Sequence, residues 1–190
     1  MYEEQIRKII KAYQEVNEEQ SRWYQDDSDA YLDIETTGLS PSYDQITVVG
    51  IYLIKGTDEK VIQIVGDDIT ADSITQALGG VRTIYTYNGG RFDLLFINVR
   101  HKVNLDKGFN HCDLMYHCWD NKLYGGLKAV ECQLGINRIL KGVDGLEAVR
   151  LWWKYVNDYD EAALNILLAY NKEDVMNLKA LKERLIPRTL

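Results

Sequence analysis

The segment AYLDIETTGL (30–39) sets two acids, Asp33 and Glu35, into a run otherwise suited to burial. Side chains i and i+2 of a strand share a face, so the two carboxylates project together while Leu32 and Ile34 face the other way. Two acids that close repel each other and resist joint ionisation unless something positive lies between them. Taken alone, the pair has two explanations: a solvated strand face, or a site that holds a cation.

Around this segment the periodicity is easy to follow. Residues 30–35, 46–54 and 60–65 read as strands, the last two joined through KGTDE, a good hairpin turn. A short helix over 71–78 ends at Gly79-Gly80. A strand over 81–87 then meets the turn NGG and a helix over 92–100, and a fifth strand is expected over 110–114. The remainder is helical, over 127–134, 145–156 and 160–185, with Asp158 and Glu161 resembling a capping box at the start of the last helix. Adjacent strands followed by strands alternating with helices predict an α/β fold, a mixed and mainly five-stranded sheet flanked by helices.

Residues 2–24 read as an amphipathic helix carrying Ile6, Ile9, Ile10, Tyr13 and Val16, and DDSD (26–29) separates it from the first strand. The division is therefore 1–29, a helix and linker packed on the core or on a protein partner, and 30–190, a single domain. A chain of 190 residues with 46% hydrophobic residues and two prolines supports one well-cored globular unit. The longest apolar run, ITVVGIYLI, is too short to span a bilayer, and the charged N-terminus has no signal-peptide pattern, so no membrane association is expected. Three cysteines at no framework spacing fit a reduced, cytoplasmic protein. The net charge of −7 argues against a broad grip on duplex DNA, which needs a basic face. It leaves room for an enzyme that reaches nucleic acid through bound metal and a local groove.

Two later elements carry further acids. In YNGGRFDLL (87–95) a strand hands over to a helix opened by Phe92 and Asp93, and an acid there also suits the helix macrodipole. In YNKED (170–174), Tyr170 and Asp174 are i and i+4 on one helix face, beside the Leu167, Leu178 and Leu181 stripe. Tyr170 by itself reads equally as a half-buried core aromatic, and Glu173 as a solvated charge.

Together, the order D-x-E, N-x-x-x-F-D and Y-x-x-x-D resembles the three motifs of the DEDDy 3′–5′ exonucleases, the DnaQ-like branch of the ribonuclease H-like superfamily. The segments Asp113-Leu114, GLKAVECQLGI (126–136) and YNKEDVMNL are similar to the YprB-like ribonuclease H-like group. The resemblance covers about residues 30–185 and implies a ribonuclease H-like fold. It implies two Mg²⁺ or Mn²⁺ ions held by Asp33, Glu35, Asp93 and Asp174, with Tyr170 orienting the attacking water. It further implies that Thr36, Thr37, Gly38 and Leu39 line the pocket of the terminal nucleotide, with Asn88 and Phe92 beside it. The substrate would be the 3′ end of single-stranded DNA or RNA. Lys102, Lys107, Lys128 and Arg91 are candidates for a phosphate track.

The rivals are a catalytically idle nucleic-acid or protein-binding scaffold of the same fold, and an endonuclease of the wider superfamily. The spacing of HCDLMYHC (111–118) matches no familiar zinc site, and Asp113 is assigned at most a supporting role. Trp152-Trp153 reads as helix-to-core packing, and NGGRFD lacks any nucleotide-cofactor spacing.

Overall fold

The computed structural model describes residues 28–186. The expected helix at 2–24 and its partner lie outside the described residues. Five strands form one sheet: β1 (Ser28–Thr36), β2 (Ile46–Lys55), β3 (Asp58–Val65), β4 (Thr83–Thr86) and β5 (Asn110–Asp113). Their order is β3-β2-β1-β4-β5, with β1–β2 and β2–β3 antiparallel and β1–β4 and β4–β5 parallel. The mixed five-stranded sheet flanked by helices is therefore as expected. Two residues, Gly56 and Thr57, connect β2 to β3, and Gly56 takes a φ of 61° at the turn.

Among the described residues there are seven α-helices, in chain order α1 (Ala71–Ala77), α2 (Asp93–His101), α3 (Leu105–Gly108), α4 (Leu114–Asp120), α5 (Leu127–Gln133), α6 (Gly145–Asp158) and α7 (Glu161–Leu185). The single turn α3 is too short to establish a 3.6-residue period, and α4 was not anticipated because it follows directly on β5 with no turn residue between them, Asp113 ending the strand and capping the helix. Asp158 does not cap the last helix; it ends α6, and Asp160 is the N-cap of α7, its side chain accepting from the Ala163 N–H at 3.0 Å.

The alternation in β1 distributes the core between two layers. Ala30, Leu32 and Ile34 pack with Ile74 and Leu78 around α1 and with Leu94, Phe96 and Ile97 of α2. On the other face, Tyr31 packs with Leu114, Val130, Val175, Leu178 and Leu181. Farther along that face, Val48 meets Trp152, Leu167 and Tyr170. Trp152 is buried and Trp153 is partly exposed, as helix-to-core packing requires of adjacent helical residues. The long α7 thus lies across the sheet on the face to which Tyr31, Asp33 and Glu35 point. Lys182 near its C-terminal end donates to Asp29 Oδ2 at 2.7 Å, tying it to the start of β1. Among the described residues no helix is long and apolar enough to cross a membrane.

Candidate functional site

Strand β1 outruns its parallel neighbour. Pairing with β4 reaches Tyr31 opposite Tyr85, and the N–H of Ile34, beyond that pairing, donates to Asp93 Oδ1 at 3.0 Å. Asp93 stands in the first turn of α2, where the helix dipole favours a carboxylate, and is only 3% exposed. One acid from the opposite layer is thereby stitched to the backbone between Asp33 and Glu35.

On the other face, Asp33, Glu35 and Asp174 each bring a carboxylate oxygen to a common point, these atoms lying within 4.8 Å of one another. Asp93 is not part of this trio. Glu35 is buried, and its Oε1 has no hydrogen-bond partner. A buried acceptor without a donor is expensive, and this one sits among like charges. Burial first, then the charges of Asp174 and Asp93, hold Asp33 and Glu35 well above the usual carboxylate range. Burial likewise pushes Asp93 up to about 7, against the opposing hydrogen bond from Ile34. Burial raises Asp174 too, although Arg138 beside it acts the other way. An all-carboxylate donor set with an orphaned oxygen fits a hard divalent cation of the Mg²⁺ or Mn²⁺ kind.

Tyr170, one turn before Asp174 on α7, is buried at the rim of this cluster. Its phenol is pushed far up by burial and by the charges of Asp174, Glu35 and Asp33, so at neutral pH it can donate a hydrogen bond and cannot serve as a base. Lys128 Nζ sits 4.4 Å from the centre of the Tyr170 ring, and the Arg138 guanidinium lies 5.8 Å from it.

Arg138 was not anticipated. Its Nη2 donates to Glu131 Oε1 at 2.9 Å, its Nε donates to the other oxygen of Glu131, and Nη2 also donates to Asp174. Glu131 is 1% exposed, so this is a buried pair directly behind an acid of the cluster. Glu173, read from sequence as a solvated charge, instead accepts the backbone N–H groups of Ile139 and Leu140 and pins the Arg138 loop to α7. No periodicity marks this loop, which is why sequence reasoning passed over it.

The segment after β1 turns sharply. Thr36 Oγ1 donates to the Gly38 carbonyl at 2.6 Å, and Asp44 Oδ2 accepts the Ser40 N–H at 2.8 Å. A Cβ on Gly38 would stand 2.5 Å from the Asp44 carboxylate, so the turn admits only glycine there without rearrangement. Thr37 Oγ1 accepts the Gln45 N–H at 3.0 Å, and Leu39 is left 85% exposed. The Asn88 N–H donates to Asp113 Oδ1 at 2.7 Å, with Asn88 at φ 62°, so its backbone braces the NGG turn. Asp113 also caps α4 through the Met115 N–H. Phe92 is half-buried against Phe96, with ring centres 5.1 Å apart. Of the basic residues considered, Lys128 borders the cluster. Arg91 lies over the rings of Tyr116 and Trp119, and Lys102 ends α2 with its Nζ donating to the Val99 carbonyl. Lys107 stands in the single turn α3.

A family model described as RNase_H superfamily matches residues 30–186. The chain belongs to the RNase_H superfamily. No curated protein sequence matches it. Solved structures share its RNase H-like fold. The family B DNA polymerase from the archaeon Pyrobaculum calidifontis aligns with a TM-score of 0.62 and 19% identity over 84% of this chain. The chain spans only 24% of that polymerase. Brucella melitensis NrnC bound to pGG aligns with a TM-score of 0.56 and 24% identity, over 87% of this chain and 76% of NrnC. A product-bound exonuclease I aligns with a TM-score of 0.50 and 15% identity, over 86% of this chain and 45% of that one.

Proposed function

We propose that this RNase_H superfamily domain is a metal-dependent 3′–5′ exonuclease of the DEDDy type, closest to the YprB-like group, acting on the 3′ end of single-stranded DNA or RNA. The observation that carries this reading is the meeting of Asp33, Glu35 and Asp174, with a buried Glu35 oxygen that lacks a partner. Support of a second kind comes from the similar folds, since NrnC has been described with bound Mg²⁺ and with pGG, and exonuclease I with product.

In this reading Asp33, Glu35 and Asp174 hold Mg²⁺ or Mn²⁺, with Asp93 supporting a second ion. Such ions neutralise charge on the attacked phosphate and acidify water. The chain's own contributions follow from its geometry. The Tyr170 hydroxyl, kept protonated, orients the attacking water by donating or accepting a hydrogen bond. Thr36, Thr37, Gly38 and Leu39 receive the terminal nucleotide, Asn88 holds the turn beside it, and Phe92 and Leu39 offer apolar surface to the base or sugar.

The test is degradation of a 5′-labelled single strand, as DNA and as RNA, with Mg²⁺, with Mn²⁺ and with chelator. The expected result is a ladder shortening from the 3′ end that requires metal. One observation favours the idle scaffold instead, namely that Arg138 already pairs with Asp174. That reading predicts no cleavage of either strand with either metal. Shortening of linear strands combined with cutting of circular ones would point to an endonuclease.

Leu39→Ala is expected to raise the KM for a single strand about tenfold, the scale of one lost apolar contact, and to leave Mn²⁺ affinity unchanged. Equal losses in both measurements would remove Leu39 from the pocket.

The acid cluster also sets a pH dependence. Folded-state values above the unfolded ones mean that the native protein retains protons which the unfolded chain has released. Stability without metal is then greatest below pH 4 to 5 from these groups and declines as pH rises, for Asp93 through about 7. Thermal unfolding in chelator should show the midpoint dropping between pH 5 and 7.5, with a shallower drop in Asp33→Asn and in wild type supplied with Mn²⁺. Identical slopes in all three would show that the cluster carries no such strain.

A further inference from the structure

Asp33, Gly50 and Gln63 form a row across three strands: Asp33 of β1 is opposite Gly50 of β2, which is opposite Gln63 of β3. Neighbouring strands lie about 4.8 Å apart, so Asp33 and Gln63 are about 10 Å apart at the backbone. The space above Gly50 is filled from α7. A Cβ on Gly50 would lie 2.1 Å from Asn171 Oδ1, so the missing side chain is what admits the Asn171 amide. Asn171 is fully buried, and its amide spans the row.

The direction of the hydrogen bonds is set by a group that cannot change its role. The Leu168 carbonyl only accepts, so Gln63 must present its NH₂, which donates to that carbonyl at 2.8 Å and to Asn171 Oδ1 at 2.9 Å. Asn171 therefore turns its own NH₂ toward β1, where it donates to Asp33 Oδ2 at 3.2 Å and to the Asp33 carbonyl at 3.3 Å. A backbone carbonyl in the preceding turn of α7 thus dictates which way a buried amide faces a carboxylate of the acid cluster. One oxygen of Asp33 is thereby held by a buried donor.

We propose that Asn171, oriented by Gln63 and admitted by Gly50, is a positioning residue that fixes the Asp33 carboxylate for cation binding. The inference rests on the reading of Asp33 as a metal ligand. Partners of this kind orient ligands without touching the ion, and their loss typically weakens metal affinity about 10- to 100-fold.

The experiment measures Mn²⁺ binding by calorimetry for wild type, Asn171→Ala, Gln63→Leu and Gly50→Ala, alongside thermal unfolding of each in chelator. Asn171→Ala should weaken Mn²⁺ binding about 10- to 100-fold. Gln63→Leu, which touches neither Asp33 nor the ion, should weaken it about tenfold by freeing the amide to turn. Gly50→Ala should do so by displacing the amide. These losses should appear at temperatures well below each variant's unfolding midpoint, which separates positioning from mere destabilisation. If Asn171→Ala does not fold, Gln63→Leu decides alone. Mn²⁺ affinities within twofold of wild type in every folded variant would overturn the inference and leave the nuclease reading standing. A wild type that binds no Mn²⁺ would overturn both.

Discussion

Asp33→Asn is expected to reduce degradation of a labelled strand about a thousandfold or more while leaving the protein folded. Asp33 belongs to the carboxylate trio, accepts the Asn171 amide, and lies under the influence of Asp174, Asp93 and Glu35 at once. Replacing one oxygen by an amide nitrogen removes both a negative charge and a cation ligand. A loss of about 4 kcal/mol in stabilising the reaction corresponds to that thousandfold. The remaining amide oxygen can still accept from Asn171, so packing is preserved. The same substitution removes a half-buried charge that the neighbouring acids disfavour, so the metal-free unfolding midpoint should rise. Activity falling as stability rises is the signature of an acid kept for chemistry. Undiminished cleavage by Asp33→Asn in Mg²⁺ would detach the activity from this cluster.

Arg138→Met should destabilise the fold by about 3–5 kcal/mol at neutral pH, read as a lowered denaturant midpoint. The reason is Glu131 more than Asp174. Removing the guanidinium leaves a carboxylate that is 1% exposed without its cation, and breaking a buried pair from one side has that cost. Arg138→Met with Glu131→Leu should restore the larger part of the loss, because the buried Glu131 charge is removed together with its partner and only Asp174 is left without its cation. Added Mn²⁺ should not rescue the single variant fully, since it acts at Asp174 and not at Glu131. A single variant as stable as wild type would mean that solvent reaches Glu131.

Much of this molecule is legible in its sequence. Strands β1 to β3 were found within a few residues of their ends because alternation in AYLDIET and continuous apolar runs in ITVVGIYLI are local properties of the chain. The face shared by Asp33 and Glu35, and the face shared by Tyr170 and Asp174, follow from the periods of strand and helix alone. What the chain could not reveal in one dimension are the partners that meet only after folding. Arg138 reaches Asp174 across 36 residues, and Asn171 reaches Asp33 across 138. Gly50 looks like a flaw in an apolar strand until α7 is laid over it, and Glu173 looks solvated until a loop folds back onto its carboxylate. Asp93 was expected at a helix start, but the Ile34 N–H that it accepts became available because β4 stops pairing with β1 at Tyr85. Period and turn chemistry act between neighbours in sequence, so they assign elements, the faces of those elements and the acids on them. Which cation or amide stands against each acid depends on how the layers cross, and that is decided by packing between elements distant along the chain.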